Sequence, residues 1–305
     1  MQIISLLPAA TEIVCALGLE DKLVGRSHEC DYPESITGLP VCTEANIPGN
    51  LNSAAIDAKV KEILNDALSL YNVKRDVIQR LSPDVIITQA QCDVCAVSLT
   101  EVEHALEDYL AKKAKIISLQ PNSLDDIFND IKTVANSLGA PTAGEELLES
   151  LMERVDIIRH KLKFIDIKPT VACIEWLEPL MVSGNWIPGL VSIAGGHSIL
   201  AEEGKHSPYI DWTDIRLQDP DIIVVMPCGF SIERTIKEMD ILLQQPGFAE
   251  LKAVKNNRLY IADGNQYFNR PGPRIVDSVE ILAEIINPKQ FIFGYEGDGW
   301  IKFAV

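Results

Sequence analysis

Basic residues are scarce in this 305-residue chain: 27 Lys and Arg stand against 44 Asp and Glu, a formal net charge of −17. That imbalance argues against nucleic acid or an anionic membrane as the main partner, because neutralising phosphates takes clustered Lys and Arg. Long apolar runs are missing as well. The opening MQIISLLPAATEIV carries no positive n-region and no long apolar stretch, and Pro8 interrupts it too early for a signal peptide or a spanning helix. The expectation is no membrane insertion and a cytoplasmic location as the sequence stands, or a periplasmic one if a signal has been removed. Catalytic signatures are absent too. There is no GxSxG, no HExxH, no GxxxxGK, and no GxGxxG following a strand. Nothing places a Ser, His and Asp together or singles out a carboxylate pair, so no catalytic residue is assigned and binding is better supported than turnover.

What is present reads as globular. An apolar fraction of 47% with 23% charged residues is ordinary for a folded protein, and the length favours two domains, each with its own core. Seven cysteines is an odd count. Without an export signal it suggests free thiols or ligands rather than a disulfide framework.

Short β-branched runs alternate with helical patterns, the signature of parallel sheets covered by helices. Strands are expected at 3–6, 23–25, 84–88 and 115–118, and helices at 11–17, 56–70, 99–112 and 124–138. Ser98 with Glu101, and Ser123 with Asp126, have capping-box spacing. The second half repeats the plan, with strands at 171–174, 221–225 and 258–262 and helices at 188–194, 232–243 and 274–286. LSPDVIIT and LQDPDIIVV even share a Pro-Asp entry into a buried strand. Between the halves, 144–164 puts Leu147, Leu148, Leu151, Met152, Val155, Ile158 and Leu162 at helical spacing with no internal Gly or Pro. The expected organisation is an α/β protein of two similar lobes with parallel-rich sheets flanked by helices. A lobe over 1–140 and a lobe over 166–305 would be joined by a single long rigid helix over 141–165, with the ligand cleft between lobes.

In such sheets ligands bind at the carboxyl ends of the strands. The loops there are rich in aromatic, Cys, His, Gly and Pro residues. Trp176, Trp186, Trp212, Tyr267 and Phe268 fit a ligand wall or ordinary packing, and His28 and His206 fit ligands or solvated surface. Cys92 and Cys95 in QAQCDVCAVS lie between a strand end and a helix start, where helix N–H groups favour a thiolate. Redox couple, pocket wall and metal half-site all remain open. His28, Cys30 and Cys42 arise on neighbouring loops and, with Cys92 and Cys95, would suit zinc or another soft metal.

The segments SLLPAATEIVCALG, GRSHECDYP, SPDVIIT and FNRPGPRI resemble the iron-chelate and vitamin-B12 class of ABC-transporter substrate-binding proteins, over about residues 3–288. The resemblance implies a receptor that holds cobalamin, another corrinoid or a related metal chelate as ligand and hands it to an ABC permease, acting as a monomer. It places His28, Glu29, Cys30, Tyr32, Glu44, Gln89 and Cys92 of the first lobe, with Trp186, Tyr209, Tyr267, Phe268 and Arg270 of the second, around the ligand. The aromatics would face the macrocycle and Arg270 its peripheral carboxamide or phosphate groups. Where the family carries aromatics in the first lobe, this sequence has Glu29, Glu44 and Gln89 with thiols beside them. The alternative is a cytoplasmic metal- or thiol-dependent protein, an enzyme included, using the Cys and His loops on the same scaffold.

Overall fold

The computed structural model describes residues 1–48, 51–65, 70–89 and 114–304. The expected helix over 99–112, its Ser98 cap, Cys92 and Cys95 lie outside the described residues. The chain divides into two compact units. The first comprises Met1–Leu51, Ala55–Pro121 and Asp125–Glu149, and the second Asn52–Ala54, Asn122–Leu124 and Ser150–Val305.

In the first unit, β1 (Ile3–Ser5), β2 (Leu23–Arg26), β5 (Val85–Gln89) and β6 (Lys115–Leu119) form a parallel sheet in the order β2-β1-β5-β6. Ile3, Ile4 and Ser5 pair in register with Val85, Ile86 and Ile87. Every residue of β5 is buried, as a parallel strand covered on both faces requires, which is why VIITQ reads as an unbroken run rather than an alternating one. A separate antiparallel pair, β3 (Thr43–Ala45) with β4 (Tyr71–Val73), lies beside the loop that follows β2.

The second unit repeats the architecture around β7 (Thr170–Trp176), β10 (Ile222–Val225) and β11 (Leu259–Ala262), parallel in the order β11-β10-β7. The short β8 (Met181–Val182) and β9 (His197–Ser198) extend it beyond β7, and β12 (Trp300–Lys302) closes the β11 edge antiparallel. Strands β10 and β11 are wholly buried. The helix Ile275–Ile286 is buried nearly all round, Asp277 being only partly covered, so it behaves as a core element rather than a surface amphipath.

A 22-residue helix, Pro141–Leu162, runs without interruption across the boundary between the units. Its buried stripe is Leu151, Val155, Ile158 and Leu162, spaced at three and four residues. Met152 departs from expectation: one residue on from Leu151, it is turned off that stripe and is 50% exposed. The single helix expected over 232–243 is instead two short ones, Ile232–Ile236 and Asp240–Leu243. Between them Lys237, Glu238 and Met239 donate to carbonyls three residues back, a tightened turn that buries Met239. Among the described residues, no helix is long and apolar enough to cross a membrane.

Candidate ligand-binding site

The carboxyl end of β2 carries the loop RSHECDYP. Its shape is set from beneath by Arg26, whose guanidinium donates to the carbonyls of Ser27 (3.1 Å), Cys30 (2.9 Å) and Thr37 (2.8 Å). One planar guanidinium fork thus gathers three carbonyls. The backbone N–H of His28 donates to Thr43 Oγ1 at 3.1 Å, and its ring Nδ1 lies 2.8 Å from the same oxygen. The close approach of Nδ1 to a hydroxyl that already accepts a proton suits a neutral ring. Burial, then the positive charge of Lys74, pushes the His28 pKa down, which agrees. The ring also tilts against Tyr71, centroids 5.7 Å apart.

Around it sit half-buried Glu29, with Oε1 4.0 Å from His28 Nε2, and exposed Glu44. Glu44 accepts from Asn72 (2.8 Å) and pairs with Lys74 (3.3 Å), both of which hold its carboxyl below the usual range. Tyr32 is 48% exposed and precedes a cis proline, Pro33. Gln89 is buried at the end of β5, paired with Leu119.

Cys30 and Cys42, the described thiols expected as ligands, are both buried. Cys30 is buried and accepts a hydrogen bond from Thr11 Oγ1 at 3.1 Å. Cys42 is fully buried with its thiol pushed up to about 12 by desolvation, and its sulfur fills the space beside Gly25, where a Cβ would come within 2.7 Å of it. Among the described residues, no three His, Cys, Asp or Glu side chains meet as a metal-ligand set. His28, Cys30 and Cys42 therefore do not converge as expected. At Cys42 the physical reason is desolvation, which favours the protonated thiol where metal binding needs a thiolate, and the Cys30 sulfur accepts from Thr11.

In the second unit the loop after β11 is held by its own hydrogen bonds. Asp263 accepts from the amides of Asn265 (2.9 Å) and Gln266 (2.7 Å) and from Gln266 Nε2 (3.3 Å). Burial pushes its pKa up against those bonds. At Gly264 a Cβ would lie 2.1 Å from the Pro227 carbonyl oxygen, so two strand-end loops touch backbone to backbone only because this position is glycine. Arg270, buried, donates to Asn265 Oδ1 at 3.4 Å. Tyr267 packs edge-on against Tyr295, with the Arg274 guanidinium 5.6 Å from its ring.

Two residues expected to face the ligand are walls of the core instead. Trp186 is buried and its indole N–H donates to the Phe268 carbonyl at 2.7 Å. Phe268 has no exposed surface, adopts φ +47°, and donates its own amide to Ser278 Oγ at 2.9 Å. The bond to Trp186 and the ring's burial hold that left-handed conformation, which an L-residue adopts at a cost. Behind them Arg154 bridges Glu280 (2.9 and 2.6 Å) and Asp277 (2.5 Å), and the Trp300 indole donates to Glu284 at 2.7 Å. These pairs account for three carboxylates on an otherwise apolar helix. Tyr209, by contrast, is 57% exposed beside Met181.

At the ends of β7 and β10, Trp176, one of the aromatics named from the sequence, stands in a cluster with Phe230, Arg234 and Glu175, which sequence reasoning did not single out. Half-buried Trp176 meets Phe230 edge-on at 5.2 Å, and the Arg234 guanidinium lies 3.6 Å over the Phe230 ring. Beside them Glu175 accepts from Ser207 Oγ at 2.9 Å, which in turn accepts from the Gly184 amide at 2.9 Å. The signal was available in part: MPCGFS follows a buried strand, and Arg234 lies three residues beyond it. Arrays of half-buried aromatic faces, arginines and carboxylates at strand ends suit a large, flat, polar-rimmed ligand.

A family model described as periplasmic binding protein matches residues 3–265. The chain belongs to the periplasmic binding protein family. A vitamin B12-binding protein of Vibrio cholerae is 25% identical over 292 residues, covering 95% of this chain and 90% of that protein. An uncharacterised ABC transporter substrate-binding lipoprotein of Bacillus subtilis is 24% identical over 298 residues, covering 95% of this chain and 81% of its own. In fold, the crystal structure of a periplasmic heme-binding protein from Pseudomonas aeruginosa matches with a TM-score of 0.72 at 18% identity, covering 100% of this chain and 98% of that one. This periplasmic binding protein is thus a substrate-binding component of the ABC-transporter class, a family that binds for transport. The alternative of a metal- or thiol-dependent protein finds no support.

Proposed function

We propose that this chain holds a corrinoid, or a closely related metal chelate, and delivers it to an ABC permease outside the cytoplasmic membrane. The observation that carries the reading is the 25% identity to a vitamin B12-binding protein across 95% of the chain. The strand-end loops of each unit support it. In the first, His28, Glu29, Tyr32 and Glu44 offer a polar, titratable rim suited to carboxamides. In the second, Trp176, Tyr209, Arg234 and Arg270 combine aromatic faces with guanidinium groups. Trp186, Tyr267 and Phe268 act by holding the 263–272 loop in shape. The chelated metal is part of the cargo, so no protein-borne zinc or other metal is needed. The chain acts as a monomer.

Absorbance titration of the purified protein with cyanocobalamin, cobinamide and hemin tests the ligand class. The expected result is a saturable spectral change with at least one corrinoid. No saturable change with any of the three would overturn the reading.

A further inference from the structure

The second unit carries an unexplained surface at the end of its sheet opposite the ligand loops. The segment RHKLKFIDIKP, residues 159–169, ends the long helix and enters β7, so it lies at the strands' amino ends. The helix Ile275–Ile286 terminates on the same side, because Arg258, just ahead of β11, donates to the carbonyls of Ile285 and Ile286 at 3.0 and 2.9 Å. Lys161 ties the two together, its Nζ 5.2 Å over the Phe291 ring.

On this face Phe164 is 83% exposed, Ile167 87% and Ile292 90%, and Phe293 is also exposed. Scattered apolar residues need no explanation, but four large side chains on two adjoining segments do. The cations are equally local. Arg159, His160 and Lys161 fall in the last helical turn, where basic side chains complement the helix dipole, and Arg159 also pairs with Asp156 at 3.3 Å. Exposed Lys163, Lys168 and Lys289 lie beyond the helix and have no such reason. Lys163 lies with its Nζ 5.7 Å from the Phe164 ring, so the same short stretch offers an apolar tip and an ammonium.

We infer that this face docks on an anionic lipid bilayer, the apolar tips entering the headgroup region while the lysines meet lipid phosphates. A second copy of the chain is disfavoured, since a self-complementary contact would set like charges against each other. The net charge of −17 repels such a surface at long range. Within a Debye length of about 8 Å at physiological salt, the local cations decide. Docked this way, the second unit turns its ligand loops away from the lipid.

The test is co-sedimentation of the full chain with vesicles of phosphatidylcholine alone and with about 30% phosphatidylglycerol, at low and high salt. Binding is expected only to the anionic vesicles and is expected to fall with salt. Lys163→Glu with Lys168→Glu should weaken it about thirtyfold, two lysines each contributing about fivefold near a charged surface. Phe164→Ser with Ile167→Ser should abolish residual binding at high salt, and thermal melting checks that both variants are folded. No sedimentation with anionic vesicles, equal binding to neutral ones, or binding unchanged in both folded variants would each overturn the proposal. Capture by heparin but not by vesicles would overturn it as well, in favour of an acidic macromolecule.

Discussion

The loop after β2 and the loop after β11 both follow the carboxyl end of a parallel strand, yet they are held in different ways. Arg26 props the first from below by three bonds to carbonyls, while His28, Glu29 and Tyr32 remain partly or well exposed. Packing closes the second: Trp186 and Phe268 are buried and bonded to each other, and Gly264 touches the backbone of the neighbouring loop. In the first unit the loop is a polar wall carried on a guanidinium fork; in the second it is a wall continuous with the core.

If the second wall belongs to the core, breaking it must cost global stability. Trp186→Ala should lose about 4 kcal/mol in urea unfolding, combining a large cavity with an orphaned Phe268 carbonyl. A loss under about 1 kcal/mol would mean the ring is dispensable to packing. Gly264→Ala should cost about 3 kcal/mol by the same measurement, because its Cβ would meet carbonyl oxygens rather than yielding side chains.

The first wall should answer differently. Arg26→Met removes three charge-assisted bonds and is expected to cost about 2 kcal/mol, with corrinoid affinity falling further than this loss of stability accounts for. An affinity unchanged in the folded variant would dissociate this loop from binding.

The smallest effect concerns Asp130, behind the first sheet. Burial raises its pKa from 3.8 to about 6, and its Oδ2 has no hydrogen-bond partner among the described residues. A folded-state pKa above the unfolded one means the native state takes up the proton first on acidification. The group therefore favours folding below pH 3.8 and loses that contribution as pH rises through about 6. Asp130→Asn should be more stable than the parent by about 1 kcal/mol at pH 7.5, with the gap closing towards pH 4, as followed by thermal melting across pH. An advantage independent of pH would assign the effect to packing.

Much of the scaffold was legible because parallel strands buried on both faces are written as unbroken β-branched runs, such as VIIT and IIVV. The strand-end position of the loops followed from that alternation. What each loop residue does was not legible, since the deciding partners are remote. Trp186 reads as a ligand face until its indole is seen bonded to Phe268, 82 positions away, and Arg154 meets Glu280 across 126. Composition also cannot distinguish a thiol packed beside Gly25 from one that holds a metal, because burial alone sets that difference at Cys42. Arg234 was missed for a related reason: only the folded turn at 237–239 and the approach of Phe230 reveal it as a stacked guanidinium.

The central proposal is that the chain binds a corrinoid. Isothermal titration calorimetry of the purified chain with cobinamide tests it most directly. The account predicts a single saturable site at a one-to-one ratio, weakened at least about tenfold by Arg234→Ala with Arg270→Ala in protein that melts normally. Absence of heat and of saturation, with the chain folded, would contradict it.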